Sequence, residues 1–210
     1  MHNLHELEIT KDLKTKSLSE ILRKNGWQLL GTGIEAFVAE HPKESYVLRI
    51  WVKGSRYEHF VEFCRHNQHN THVPKFSRYI RPIPGTPYVY VRMEKLLPVS
   101  LNRLTQNYMP ELLYLHLLAK KYNVRALVDH VFDAVADFIY AEGIDIESIS
   151  DIMGDLWDIW QTIGPPDPSW KQVSQNLISY ATHYGLTSWD LHNANFMTRD
   201  GNLVITDPFF

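Results

Sequence analysis

The chain has 210 residues, 44% of them hydrophobic, which is enough to bury an apolar core in one domain or in two small lobes. Its formal net charge of -3 gives no general attraction to nucleic acid or to an anionic membrane, and its single cysteine, Cys64, excludes an internal disulfide framework. No stretch reaches the ~18 uninterrupted apolar residues of a membrane span, so we expect a soluble cytoplasmic protein with no nucleic-acid or membrane partner.

The first half of the chain predicts a small antiparallel sheet. Residues 17–25 have helical spacing, and the stretches "WQLLGTG", "AFVAE" and "YVLRIWV" that follow indicate a meander of three strands. Helical spacing returns at residues 55–68, and residues 73–96 indicate two more strands around a Pro-Gly-Thr-Pro turn. We therefore expect a first domain over residues 1–97, with an N-terminal helix, a five-stranded sheet and one further helix.

The second half of the chain is predicted to be mostly helical, as a domain over residues 98–210. Apolar stripes predict four helices, at residues 110–121, 126–141, 147–162 and 170–183. The segment "GPPDPS" at 164–169 separates the last two helices. The chain then predicts a loop at 188–195 and two short strands joined by an Asp-Gly turn. The expected fold class is α+β, a small antiparallel β lobe followed by a mostly helical lobe, with a cleft near residues 94–97.

Three polar side chains near the end of the chain indicate a cation site. Asp190 and Asn195 lie five residues apart in the predicted loop. Two paired strands are predicted after this loop, and Asp207 ends the second of them. Oxygen ligands of this kind suit Mg²⁺, which usually takes one or two protein ligands and completes its shell with phosphates and water. The alternative is that these residues only cap turns and end a strand.

A glycine-rich stretch, "GTGIEAFV", lies between two predicted strands and is a weaker signal. Gly31 and Gly33 would let backbone N–H groups approach a phosphate, although such a stretch is more often a tight turn. Val47 and Arg49 share a face of the next strand, which places a cation one hairpin away. Arg49 could equally lie on a solvated edge.

In combination these motifs resemble the protein-kinase-like fold, which includes protein kinases and small-molecule kinases. "GTGIEAFVAEHP", "VLRI" and "WDLHNANFMTRDGNLVITDP" are similar to the early-gene protein kinases of teseptimavirus-type bacteriophages, whose motifs also carry a His two residues after the catalytic Asp. The resemblance covers residues 27–97 and 185–210, whereas the middle of the chain matches only in being helical.

The resemblance implies a role for each matching position. Gly31 and Gly33 would cover the phosphates of ATP, and Val38 and Val47 would sandwich the adenine. Arg49 would stand where the fold usually has a lysine, and Glu58 or Glu62 would pair with it. The hinge segment, which binds adenine through its backbone, would include Met93, Glu94 and Leu96. Asp190 would orient or deprotonate the acceptor hydroxyl. Asn195 and Asp207 would hold Mg²⁺.

The chain departs from the family in two places. Arginine is not a conservative replacement for lysine, because its planar fork is bulkier and delivers its charge elsewhere, so Arg49 puts catalysis in question; Lys53 is an alternative source of the cation. The chain also stops after the metal-binding Asp207, while about 90 residues separate the hinge segment from Asp190. We expect residues 110–165 to pack as a substitute for C-terminal helices.

The resemblance implies an ATP- and Mg²⁺-dependent Ser/Thr protein kinase of phage or bacterial origin, acting on an unidentified protein of the bacterial cytosol. Two alternatives remain open, a small-molecule kinase and a catalytically impaired kinase-fold binding or inhibitor protein. The sequence does not indicate the oligomeric state. Among the other candidates, His66, His69 and His72 are interpreted as a solvated polar face rather than a metal site, and Trp157 and Trp160 as core.

Overall fold

The structure, a computed structural model, describes residues 18–32, 36–126, 130–141, 143, 157–186 and 188–209. The chain forms two compact units: the first takes the chain up to Arg65 together with Lys75–Lys95, and the second takes His66–Pro74 and the chain from Leu96 onward. The second unit thus includes residues 66–74, a segment that lies inside the predicted first domain.

The first unit is an antiparallel sheet with two helices. Its elements are α1 (Leu18–Lys24), β1 (Gln28–Thr32), β2 (Ala36–Glu40), β3 (Tyr46–Val52), α2 (Tyr57–His66), β4 (Arg81–Pro82) and β5 (Tyr88–Glu94). The strands are ordered β1-β2-β3-β5-β4, and every neighbouring pair is antiparallel. The predicted meander, the two further strands and both helices are confirmed.

The two faces of this sheet carry different helices, because successive strand residues point to opposite sides. Leu48 and Ile50 belong to a buried cluster that also contains Ile21 and Leu22 of α1. On the other face, the ring of Trp51 lies 5.1 Å from that of Tyr57, the first residue of α2. Cys64 of α2 is fully buried and is a small core residue.

The second unit is mostly helical. Its elements are β6 (Leu97–Pro98), α3 (Leu101–Asn107), α4 (Met109–Lys121), β7 (Arg125–Ala126), α5 (His130–Ala141), α6 (Trp157–Ile163), α7 (Pro168–Tyr184), β8 (Ser188–Trp189), β9 (Phe196–Arg199) and β10 (Asn202–Ile205). The α+β class, a sheet followed by a helical region, is confirmed. Within the described ranges, no helix is both long and apolar enough to cross a membrane.

Helix α4 is the centre of the second unit. It packs against α3, α5, α6 and α7, and it is buried on nearly all sides. Trp170 of α7 donates its indole N–H to the carbonyl of Glu111 at 2.8 Å, and the hydroxyl of Tyr114 accepts from Gln175 at 2.9 Å. Helix α4, from the predicted region 110–165, therefore packs against α7, and the role of that region as a substitute for C-terminal helices stays a prediction. Much of the predicted helix at 147–162 lies outside the described residues.

The short elements of the second unit were not predicted. Helix α3 has seven residues, and β6, β7 and β8 have two each, too few to show a hydrophobic period. The predicted hairpin is confirmed as β9 and β10, whose turn has positive φ angles of 51° at Asp200 and 83° at Gly201, as a tight Asp-Gly hairpin turn requires. β6 adds a third strand beside β9.

His72 corrects the interpretation of the three histidines as a solvated face. His66 and His69 are exposed, but the side chain of His72 is buried among elements of the second unit. Its Nδ1 donates to the carbonyl of Leu203 at 2.7 Å, and its Nε2 lies 3.4 Å from the carboxylate of Asp167. The imidazole therefore ties residues 66–74 to β10 and to the start of α7. Trp160 is buried, which confirms it as core.

Asp167 is the N-cap of α7, and we expect Asp167→Ala to lower the free energy of unfolding at pH 7 by about 1 kcal/mol. The carboxylate accepts hydrogen bonds from the backbone N–H groups of Ser169 at 2.7 Å and Trp170 at 3.3 Å. Urea unfolding measures the change. Asp137→Ala, an exposed aspartate of α5, is the control and should not destabilise the protein.

The same cap predicts a pH dependence. The hydrogen bond from the Ser169 hydroxyl, opposed by partial burial, holds the pKa of Asp167 below its ordinary value. A carboxyl group with a depressed native pKa stabilises the fold above its unfolded pKa, and this contribution is lost as pH falls through the native value. The difference between wild type and Asp167→Ala should shrink with acid. Taking the difference at each pH cancels the contributions of groups that the substitution does not affect. His116 is one such group, and burial lowers its pKa to about 4.

Candidate functional site

The loop before β9 and the segment after β10 are joined by backbone hydrogen bonds. The N–H of Asp190 donates to the carbonyl of Pro208 at 2.9 Å, and the N–H of Thr206 donates to the carbonyl of Asn195 at 2.9 Å. Asp207 lies between the two residues that make these bonds. The structure therefore brings the three predicted polar residues of this region into one cluster.

An aromatic pair packs next to the same cluster. Trp189 and Phe209 form an antiparallel backbone bridge, and their rings meet edge to face with centroids 5.8 Å apart. Trp189 is fully buried and donates its indole N–H to the carbonyl of Leu186 at 3.0 Å. The residues that flank Asp190 and Asp207 in the chain are also buried, so the backbone that carries the two carboxylates is anchored in the core.

Asn195 is held in one orientation. Its side chain is almost buried, and its Nδ2 donates to the backbone carbonyl of Asp190 at 2.7 Å. Asn195 also ends the 3-10 turn Asn193–Asn195, where its N–H donates to the carbonyl of His192 at 2.9 Å. Because the amide nitrogen is committed to the loop, Oδ1 is the atom that can accept a hydrogen bond or ligate a cation.

His192 lies beside the carboxylate of Asp190. Its Nδ1 accepts a hydrogen bond from the N–H of Ala194 at 3.1 Å, so the ring proton is on Nε2. That nitrogen lies 3.4 Å from Oδ2 of Asp190, and the two side chains are 37% and 27% exposed. The position of His192 was noted only through the resemblance; its Asp-x-His spacing is the signal that gives it a role beside Asp190.

The residues of this cluster fit Mg²⁺ as ligands, although they would form a sparse site. Across the described residues, no three His, Cys, Asp or Glu side chains converge on a point where a metal ion could be bound. Asn195 and Asp207 would supply one amide oxygen and one carboxylate. Mg²⁺ usually binds through few protein ligands and completes its shell with water and substrate phosphates.

In the first unit, strand register places four of the predicted nucleotide-binding residues on one face of the sheet. Val38 of β2 lies opposite Arg49 of β3, and Val47 lies opposite Met93 of β5. Paired residues share a face, and so do strand residues two apart, so all four point to the side that carries α2. Gly31 pairs with Val38 at the end of β1. Gly33 lies outside the described residues.

Arg49 lies over an aromatic ring. The central carbon of its guanidinium is 4.7 Å from the ring centroid of Tyr57, a cation–π distance. The carboxylate of Glu58 accepts from the N–H of Gly54 at 2.8 Å and from the indole of Trp51 at 3.3 Å. Glu62 acts electrostatically on Arg65. Pairing of Arg49 with Glu58 or Glu62 stays a prediction, and Glu58 has two other donors.

The remaining predicted residues lie at the ends of strands. Glu94 ends β5 and forms backbone and side-chain hydrogen bonds with Lys75, at 3.1 Å and 2.8 Å. Leu96 is half-buried and lies between β5 and β6 in the chain. The hinge role of Met93, Glu94 and Leu96 stays a prediction. Lys53 is exposed and lies beyond the end of β3, so strand geometry does not fix its side chain.

No protein-family model matches the chain, and no curated protein matches it. Solved structures of thermostable mutants of aminoglycoside phosphotransferase APH(4)-Ia are similar to it. One, a ternary complex with AMP-PNP and hygromycin B, has a TM-score of 0.39 and 16% identity, over 91% of this chain and 70% of that chain. Another, with ADP and hygromycin B, has a TM-score of 0.38 and 17% identity, over 91% and 70%. The apo form has a TM-score of 0.37 and 16% identity, over 86% and 66%. Likenesses this weak carry no argument for function.

We expect Asn195→Asp to destabilise the protein by about 1–3 kcal/mol, the usual effect of leaving a buried polar group unsatisfied. The substitution replaces the donor Nδ2 with a carboxylate oxygen that faces the carbonyl of Asp190. Thermal or urea unfolding measures the effect. Asn102→Asp, on the exposed first turn of α3, is the matched control and should be neutral. Equal stability of both variants would contradict the assigned orientation of Asn195.

Proposed function

We propose that the chain is an ATP- and Mg²⁺-dependent phosphotransferase, which transfers the γ-phosphoryl group of ATP to a hydroxyl and forms ADP and a phosphomonoester. The observation that carries the proposal is the cluster of Asp190, Asn195 and Asp207 in the second unit, whose segments are joined by hydrogen bonds. There the backbone bonds from Asp190 to Pro208 and from Thr206 to Asn195 hold a carboxylate, an amide oxygen and a second carboxylate together. These are the groups that phosphoryl transfer uses to orient the acceptor and to bind metal.

Asp190 is the group that would receive the acceptor hydroxyl. Its carboxylate is partly exposed, so a substrate can reach it, while its backbone is fixed to Pro208. The Nε2–H of His192 faces one carboxylate oxygen, which leaves the other to accept the hydroxyl proton. In this arrangement His192 is a positioning residue that sets which oxygen of Asp190 is available.

Asn195 and Asp207 would hold the metal. Asn195 presents Oδ1 because its amide nitrogen is bound to the loop, and Asp207 directly follows the buried Thr206, two residues beyond the end of β10. Bound Mg²⁺ supplies charge neutralisation for the phosphates in this class of reaction. The cluster itself supplies fixed oxygen ligands, which lowers the cost of ordering the site when nucleotide and metal arrive.

The shared sheet face of the first unit supports nucleotide binding. Val38, Val47 and Met93 would contact the adenine, and the glycine-rich stretch after β1 would approach the phosphates. Arg49 lies on the same face and carries the positive charge that the phosphates require. Its guanidinium lies over the ring of Tyr57, which restricts the position of that charge.

The acceptor we propose is a serine or threonine hydroxyl of a protein in the bacterial cytosol, with a phage or bacterial origin for the chain. The resemblance to phage early-gene kinases is the support for this finer assignment. A small-molecule hydroxyl is the other acceptor of the same chemistry. The proposed assay distinguishes the two by the size of the labelled product.

A second candidate is a kinase-fold binding or inhibitor protein that has lost catalysis. The observation that favours it is Arg49, which stands where the resemblance implies a lysine and lies on the ring of Tyr57. An arginine whose guanidinium is stacked on an aromatic ring is less able than a lysine to move its charge toward the phosphates of ATP. This candidate predicts binding to a partner without turnover.

Incubation with ATP labelled at the γ-phosphate, Mg²⁺ and bacterial lysate tests the proposal. Label in protein bands would indicate a protein acceptor, and label in the small-molecule fraction would indicate the alternative acceptor. Asp190→Asn is the negative control. Absence of label in both fractions, with a folded protein and intact partner binding, would contradict phosphotransfer and favour the binding protein.

We predict that Asp190→Asn and Asp207→Asn fail at different steps. Asp190→Asn should lower kcat by at least ~100-fold, the lower range for loss of an acid–base group, with Mg²⁺-dependent ATP binding retained. Asp207→Asn should weaken ATP binding only when Mg²⁺ is present, because it removes a ligand charge. Calorimetric titration with ATP, with and without Mg²⁺, separates the two. The metal assignment is wrong if Asp207→Asn binds Mg²⁺ and ATP as wild type does.

Arg49 gives an independent prediction. Arg49→Ala should lower kcat/KM by at least ~10-fold, equivalent to about 1.4 kcal/mol of transition-state stabilisation, whereas Arg49→Lys should preserve or raise it. Lys53→Ala is the matched control, and its exposed position predicts no change. If Lys53→Ala loses activity and Arg49→Ala does not, Lys53 supplies the charge. An inactive wild type that becomes active as Arg49→Lys would identify a binding protein.

A further inference from the structure

A concave site of about 180 Å³ lies on the first unit and has no part in the proposed reaction. It is lined by Ser77, Tyr79, Arg81, Tyr90 and Arg92, from β4, β5 and the segment before β4. Two of these five residues are cations, three carry hydroxyl groups, and none is acidic. Such a lining favours an anion with several acceptor oxygens.

The two guanidinium groups are held in place before any ligand binds. The central carbon of Arg92 lies 4.8 Å from the ring centroid of Tyr46, and Arg81 is hydrogen-bonded to the phenol of Tyr90, its cross-strand partner. Both contacts are made by tyrosine side chains, which restrict the positions of the two guanidinium groups. Arginine forks fixed in this way lose less conformational entropy when they bind an oxyanion.

Hydroxyl donors complete the lining. The N–H of Arg92 donates to the hydroxyl oxygen of Ser77 at 3.3 Å, which leaves the Ser77 proton free to donate to a ligand. The Tyr90 side chain is buried, and burial raises its pKa, so its hydroxyl stays protonated and can donate as well. A backbone hydrogen bond from the N–H of Ser77 to the carbonyl of Arg92, at 2.9 Å, fixes the spacing of these donors.

Strand register separates this site from the face assigned to nucleotide. Arg92 lies opposite Leu48 and Tyr90 opposite Ile50, and both of those residues face the cluster with α1. Arg49 and Met93 point to the other side of the same sheet. The cavity is therefore a separate site, and it does not depend on the proposed function.

We propose that this cavity binds a single phosphomonoester group, either free or on a phosphorylated side chain. The volume accommodates a phosphoryl group and a few further atoms, and is too small for a whole nucleotide. A dianion matches the two guanidinium charges, and each fork can bind two phosphate oxygens. In a phosphotransferase the site would recognise a product or an already phosphorylated partner.

The test is a titration of the isotopically labelled wild-type protein with inorganic phosphate, at constant ionic strength and without Mg²⁺ or nucleotide. Saturable shifts of the backbone amides at residues 77–81 and 90–92 in ¹H–¹⁵N spectra are expected. Arg81→Met and Arg92→Met should each weaken binding by at least ~10-fold, the effect of losing a hydrogen bond to a charged group. Arg103→Met, an exposed arginine of α3, is the matched control and should bind phosphate as wild type does.

Two further arms complete the experiment. A neutral tripeptide with a central phosphoserine should bind more tightly than inorganic phosphate if the site recognises phosphorylated side chains, and equally or less tightly if it takes free phosphate. The Asp207→Asn variant should bind phosphate unchanged, so a failure of the proposed reaction leaves this result intact. Absence of saturable shifts at residues 77–81 and 90–92 in wild type, or wild-type affinity in both arginine variants, would overturn the proposal.

Discussion

The pair of backbone hydrogen bonds between the loop at 188–195 and the segment after β10 is the constraint on which the site depends. Asp190 and Asp207 lie on either side of the β9–β10 hairpin. The bond from Asp190 to Pro208 and the bond from Thr206 to Asn195 join their two segments, next to the buried Trp189 and Phe209. Side chains on such a base need little reordering to bind a ligand.

The sheet of the first unit applies a comparable constraint by register alone. With β3 paired to both β2 and β5, one face collects Val38, Val47, Arg49 and Met93, and the other collects Tyr90 and Arg92. One set suits adenine and phosphates, and the other suits a single oxyanion. The two sets of residues belong to the same strands, so a one-residue slip of register would exchange them.

Much of this architecture could be predicted from the sequence, because its elements carry strong local signals. The strands of the first unit are short apolar stretches separated by turn residues, α4 and α7 have apolar stripes, and Asp200-Gly201 specifies a hairpin turn. Elements such as β6, β7 and β8 could not be predicted, since a two-residue strand exists only through its partner. His72 was misjudged for a related reason: its burial depends on Leu203 and Asp167, which are remote in sequence.

Prediction of the candidate site had the same limit, since only its local patterns were visible in the sequence. The spacing of Asp190, Asn195 and Asp207 was readable, but the bonds that orient Asn195 and His192 were not, because they involve backbone groups with no sequence signature. The placement of Arg49 on Tyr57 also requires α2 to be docked on the sheet. Local patterns and the resemblance to kinases therefore supplied the candidate residues, and tertiary contacts determined which of their atoms are available.

The most direct test of the metal-dependent site uses the paramagnetic ion Mn²⁺ in place of Mg²⁺, added with ATP to isotopically labelled protein. The side-chain amide resonances of Asn195 and the backbone amides of residues 205–207 should broaden at substoichiometric Mn²⁺, and only when ATP is present. The Asp207→Asn variant serves as the control, and its resonances should stay sharp at the same Mn²⁺ concentration. Broadening that is absent at Asn195 in wild type, or equal in Asp207→Asn, would contradict a phosphotransferase site at this cluster.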